Sequence, residues 1–175
     1  MKKAKKLDVG NYSAYIAHYS EVKNGMSIGG YCVHIYSGTG TLIKVLRNCV
    51  KDPNISKLEL TAAIELLRRI SEGSKVLIVS AEKYTINILS GAWKAKKNLD
   101  LIVKFLQLIP NKTVEYKLSE ITRAKRLRKA YEFVENYCVE SLNKSPKRFK
   151  KWFNNTSDQY YLDMALAKCE QCHEY

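Results

Sequence analysis

The chain has 175 residues, enough for one domain with a substantial core and short for two. An apolar share of 46% excludes wholesale disorder, and no apolar run approaches the roughly 20 residues that span a bilayer. Lys and Arg number 30 against 17 Asp and Glu, a net charge of +13 that attracts polyanions; a Lys-rich solvated surface is the plainer alternative.

The opening, MKKAKKLDVG, is basic but lacks the apolar stretch of a signal peptide, so a cytoplasmic location and no membrane association are expected. Residues 1–10, with Lys2, Lys3, Lys5 and Lys6, are expected to form a basic flexible tail. Five scattered cysteines, an odd number, read as reduced thiols rather than a disulfide framework.

Along the chain, Asn11 to Ala17 and Gly30 to Tyr36 are rich in Tyr, Ile and Val, and are separated by a turn-like stretch around Lys23-Asn24-Gly25. They predict two antiparallel strands. Ser37-Gly38-Thr39-Gly40 predicts a second turn, and Thr41 to Asn48 a third strand. The period then changes: Ser56 is a candidate cap for a helix whose apolar side holds Leu58, Ala62, Ile64, Leu66 and Ile70, with Gly73 ending it. Val76 to Ser80 is a short continuous apolar run, as in a buried central strand.

Short and longer helices are predicted over Lys83 to Leu89 and Leu99 to Leu108, the second stopped by Pro110. Thr113 to Leu118 predicts a fifth strand, Ile121 to Ser141 a helix with a basic beginning, Lys144 to Lys151 a basic link, and Ser157 to Cys169 a closing helix. The order β-β-β-α-β-α-α-β-α-α implies an α/β fold: a five-stranded mixed sheet, antiparallel meander then parallel strands, flanked by helices.

This order resembles type 1 ribonuclease H, and local stretches agree with it. Gly29-Gly30-Tyr31, read as a turn into the second strand and running on to Ser37-Gly38, is similar to the family's GGYG…G passage. Lys57-Leu58-Glu59-Leu60-Thr61-Ala62-Ala63 resembles its first helix, and Val79-Ser80-Ala81-Glu82-Lys83-Tyr84 its fourth strand and the turn that follows. Lys97-Asn98-Leu99-Asp100-Leu101 followed by Val114-Glu115-Tyr116 is similar to the approach to its fifth strand, and Asp163-Met164-Ala165-Leu166-Ala167 to its last helix. The likeness covers about residues 11–118 and 157–169, which makes residues 11–175 one domain with a basic helical insertion at about 120–156.

The resemblance implies hydrolysis of phosphodiesters by two divalent metals roughly 4 Å apart, held by carboxylates because Mg²⁺ prefers hard oxygen ligands. Of the family's four acidic positions, Glu59 fills that of the first helix and Asp163 that of the last. His18, in Ala17-His18-Tyr19-Ser20, stands at the first-strand position and Ala81 at the fourth-strand position. Glu120-Ile121-Thr122 replaces the family's loop histidine. Two carboxylates do not hold two Mg²⁺ ions in the usual geometry; His18 suits a softer ion such as Mn²⁺ or Zn²⁺. Glu82 is expected to face away from Ala81, as neighbours on a strand do.

Three readings are open: a catalytically inactive binder of RNA/DNA hybrid or structured nucleic acid, an active ribonuclease H with an inactivated or rewired site, and a protein–protein scaffold. By resemblance, Ser56, Lys57 and Lys83 touch the hybrid's minor groove and phosphates, where recognition depends on shape and 2′-OH groups rather than sequence. The family's basic protrusion is reduced to Trp93-Lys94-Ala95-Lys96-Lys97. In the later segment, Lys147, Arg148, Lys150, Lys151 and Trp152 are candidate backbone contacts. Tyr131, Phe133 and Val134 are expected to pack on the sheet. Cys169-Glu170-Gln171-Cys172-His173 matches the string for c-type haem attachment but is read as a chance helix tail.

Overall fold

The computed structural model describes residues 5–23 and 25–144. Its elements are β1 (Asn11–Lys23), β2 (Met26–Ser37), β3 (Leu42–Lys51), α1 (Ile55–Arg69), β4 (Lys75–Ser80), α2 (Lys83–Leu89), α3 (Leu99–Leu108), β5 (Thr113–Leu118) and α4 (Lys125–Lys144). The five strands form one sheet in the order β3-β2-β1-β4-β5. β1, β2 and β3 are antiparallel neighbours, whereas β1, β4 and β5 run parallel. The expected mixed sheet is therefore present.

Alternation of side chains gives the sheet two buried faces. On one, Ala14 and Ile16 of β1 and Val33 and Ile35 of β2 pack with α1, and the same core takes in Ile86 and Leu89 of α2 and Leu101 and Phe105 of α3. On the other, Ala17 and Cys32 meet Ala130, Val134 and Cys138 of α4, with Tyr131, Phe133 and Tyr137 packed around them. The three side chains expected to pack on the sheet do so. α1 is buried nearly all round because it lies between the sheet and α3; Leu60, Ala63 and Leu67 are buried along with the expected Leu58, Ala62, Ile64 and Leu66, and so are Glu59, Thr61, Glu65 and Arg69.

Several boundaries differ from expectation. Asn54, not Ser56, caps α1: its side chain accepts a hydrogen bond from the Lys57 backbone N–H at 3.2 Å. The helix ends at Arg69, before Gly73, whose φ of 81° serves the following turn. The second strand begins at Met26 rather than at the expected Gly30, because pairing with β1 extends back that far, so Gly29 too lies in the strand and not in a turn before it. At Gly30 a Cβ would stand 2.1 Å from the Asn48 carbonyl oxygen and 2.7 Å from Cys138 Sγ, so only glycine leaves room for the helix.

The fourth helix starts at Lys125 because residues 120–124 first make a turn on the Glu120 carbonyl. Within the expected tail, the Leu7 N–H donates to the Arg69 carbonyl at 2.7 Å and the Gly10 N–H to Ser74 Oγ at 3.2 Å. The expected link and closing helix beyond Lys144 lie outside the described residues.

Candidate nucleic-acid interface and the buried Glu59 cluster

β1 and β4 run parallel, and their last paired residues are Ile16 and Ser80. Beyond this pair the two strands part at their carboxyl ends, the place where α/β sheets present ligands. His18 stands two residues further along β1, Ala81 directly after β4, and Glu59 enters from the second turn of α1.

These residues form a closed hydrogen-bonded cluster rather than an open site. His18 Nδ1 is 2.9 Å from Glu59 Oε1, and the Ser80 hydroxyl donates to Glu59 Oε2 at 2.6 Å. Glu59 is 0% exposed, so both oxygens of this carboxylate are used by protein partners and neither meets water. Burial pushes its pKa up, while hydrogen bonding and charge from His18 and the Ser80 hydroxyl pull against that rise.

The other ring nitrogen, Nε2, faces Glu82 Oε1 at 3.8 Å, too long for a hydrogen bond but close enough for attraction when the ring is charged. Glu82 therefore turns toward the site, contrary to expectation. The alternation of a strand does not reach it: β4 stops at Ser80, and Glu82 stands at the residue before α2 with its own N–H bound to Ser80 Oγ at 2.9 Å. Tyr131 of α4 closes the cluster, its ring 5.7 Å from that of His18 and edge-on to it. Burial and the charges of Glu59 and Glu82 push its phenol up.

This donor set does not fit a two-metal centre. Among the described residues no group of three or more His, Cys, Asp or Glu is placed to hold a metal ion. Ala81 supplies no ligand, and the two nitrogens of His18 already face Glu59 and Glu82. Asp163 lies outside the described residues.

The candidate contacts for nucleic acid sort into two groups. Ser56 and Lys57 sit half-buried in the first turn of α1, three and two residues before Glu59. Lys83 opens α2, exposed, with its ammonium 5.8 Å from the Trp93 ring centroid. Lys94, Lys96 and Lys97 are all exposed in the loop between α2 and α3. Lys147, Arg148, Lys150, Lys151 and Trp152 fall outside the described residues. Sequence reasoning missed Ser80 and Tyr131 as parts of the cluster. Ser80 was visible beside Ala81, but no local pattern ties Tyr131 to a residue more than a hundred positions earlier.

No protein-family model matches the chain, and no curated protein matches its sequence. Solved structures do. The N-terminal RNase H domain of a Mycobacterium tuberculosis protein is 15% identical with a TM-score of 0.61, over 75% of this chain and 98% of that one. RNase H1 from the archaeon Halobacterium salinarum is 16% identical with a TM-score of 0.54, over 75% and 99%. LC11-RNase H1 in complex with RNA/DNA hybrid is 16% identical with a TM-score of 0.52, over 69% and 96%. The sheet order, the helices on its two faces and these likenesses together show that the chain has a ribonuclease H-like fold.

Proposed function

We propose that this protein binds RNA/DNA hybrid or structured nucleic acid without sequence preference and does not cleave it by the two-metal route. The observation that carries the reading is the state of Glu59, whose two carboxylate oxygens are taken by His18 and Ser80 in a buried cluster. A carboxylate so enclosed is a structural element of the core. His18 lies between the two carboxylates, its Nδ1 2.9 Å from Glu59 Oε1 and its Nε2 3.8 Å from Glu82 Oε1, and so fills the space between them.

Binding rests on the charge of the chain and on the placement of its lysines. The net charge of +13 favours phosphate contacts; Lys57 and Lys83 lie on α1 and α2, which frame the cluster, and Lys94, Lys96 and Lys97 lie in the loop that follows α2. The exposed Trp93 offers a stacking surface beside Lys83. One fold neighbour, LC11-RNase H1, was solved with RNA/DNA hybrid, and a foamy viral protease–reverse transcriptase with dsDNA, which supports a nucleic-acid partner. Asp163 and the basic segment from Lys147 to Trp152 are assigned to the same role, the first as a relic of the metal site and the second as an added contact.

The test is a salt titration of binding to labelled hybrid, duplex DNA and single strands, in Mg²⁺ and in chelator. The reading expects tight binding that falls steeply with salt and is unchanged by chelation. Absence of binding at low salt would reject it and point to a protein partner instead.

A further inference from the structure

We propose that Cys49 and Cys138 form an oxidation-sensitive thiol pair that closes into a disulfide and clamps α4 to β3. Cys49 pairs directly with Gly30 across β3 and β2, so its side chain points to the face on which α4 lies. Gly30 has no side chain, and Cys138 of α4 occupies that space. Its Sγ is 2.7 Å, and the Cys49 Cα 3.0 Å, from the point a Gly30 Cβ would take. Both therefore flank the same small space, which sets the two side chains beside each other. Cys49 and Cys138 also belong to the same apolar cluster on this face of the sheet. The third thiol on this face, Cys32, is committed elsewhere: it donates to the Ala130 carbonyl oxygen at 3.1 Å.

The two cysteines have complementary accessibility. Cys49 is partly exposed and Cys138 is buried. A peroxide reaches Cys49 first, converting its thiol to a sulfenic acid and releasing water. Cys138 Sγ then attacks the Cys49 sulfur; the S–O bond breaks, and the departing hydroxide leaves as water with the Cys138 proton. The sum is two thiols and one peroxide giving one disulfide and two waters. The neighbouring Cys49 thiol, together with burial, pushes the Cys138 thiol up, so the second step is slow and the pair stays reduced without an oxidant. The inference rests on the packing of α4 and is independent of nucleic-acid binding.

The experiment treats the full, folded chain with hydrogen peroxide, blocks remaining thiols, and maps tryptic peptides. The expected product joins residues 48–51 to residues 130–144 and separates on reduction with dithiothreitol. Oxidation is expected to raise the melting temperature by roughly 5–10 °C. Cys49→Ser should abolish both the cross-link and the shift, with Cys138→Ala as a second variant should the first fail to fold. Pairing of Cys138 with any other cysteine, or recovery of both Cys49 and Cys138 as blocked thiols from oxidised, folded protein, would overturn the proposal.

Discussion

His18 Nδ1 lies 2.9 Å from Glu59 Oε1, joining β1 to the second turn of α1. This pair is part of the folded core, because Glu59 is fully buried and its second oxygen is bound by Ser80. Removing one partner of such a pair leaves a desolvated group with no compensation.

His18→Ala is therefore expected to cost about 3–5 kcal/mol, and Glu59→Ala a similar amount, in guanidinium unfolding. The double variant should cost clearly less than the sum, since each single change already breaks the pair. Additive losses would show that the two side chains do not depend on each other.

A buried histidine lies on the opposite face of the sheet from His18. His34 of β2 packs edge-on to Phe133 of α4, with ring centroids 5.3 Å apart, and neither ring nitrogen has a hydrogen-bond partner among the described residues. Burial, aided by the positive charge of Lys129, lowers its pKa from 6.5 to about 4. The unfolded chain then binds the proton more readily between these values, so stability falls as the pH drops from 6.5 toward 4, by roughly 3 kcal/mol. His34→Leu should flatten that part of the pH–stability curve. An unchanged slope would assign the loss to other groups.

The close approach of α4 to β2 gives a third prediction. Gly30→Ala places a methyl group against the Asn48 carbonyl and the Cys138 sulfur, and should destabilise by about 2–4 kcal/mol. Adding Cys138→Ala should recover only part of this, because the backbone oxygen remains in the way. Full recovery would mean that the sulfur alone sets the spacing.

Binding offers a fourth. Substituting Lys83, Lys96 or Lys97 with Ala should weaken hybrid binding similarly for every sequence tested and reduce the salt slope by about one for each phosphate left without its lysine. Weakening confined to particular sequences would indicate base readout, contrary to the proposed mode.

Much of this architecture is legible in the amino-acid sequence. The continuous apolar run at Val76 to Ser80 announces a buried parallel strand, and the segments Lys83 to Leu89, Leu99 to Leu108 and Thr113 to Leu118 match α2, α3 and β5 residue for residue. What escapes are features set by tertiary packing. Asn54 displaces Ser56 as the cap because α1 begins one residue earlier than Ser56. The glycine pair of β2 resembles a turn, since nothing local reveals that a cysteine over a hundred residues away fills the open side of Gly30.

At the site itself, Glu59, His18 and Ala81 can be picked out by position, but not their mutual arrangement. The rule that strand neighbours face apart excludes Glu82, and it fails because β4 ends two residues earlier, at Ser80. A buried His–Glu–Ser cluster has no spacing signature, as its members come from a strand, a helix and another strand. Only the sheet register brings them together.

The measurement that bears most directly on the account is incubation of the unaltered protein with labelled RNA/DNA hybrid in Mg²⁺ and in Mn²⁺, recording retention and cleavage on the same sample, beside a His18→Asp, Ala81→Asp variant. The account predicts retention without products for the unaltered chain, with cleavage gained only by the variant. Metal-dependent cleavage by the unaltered chain, lost on Glu59→Gln, would contradict it and show that Glu59 leaves its buried cluster to serve an active metal site.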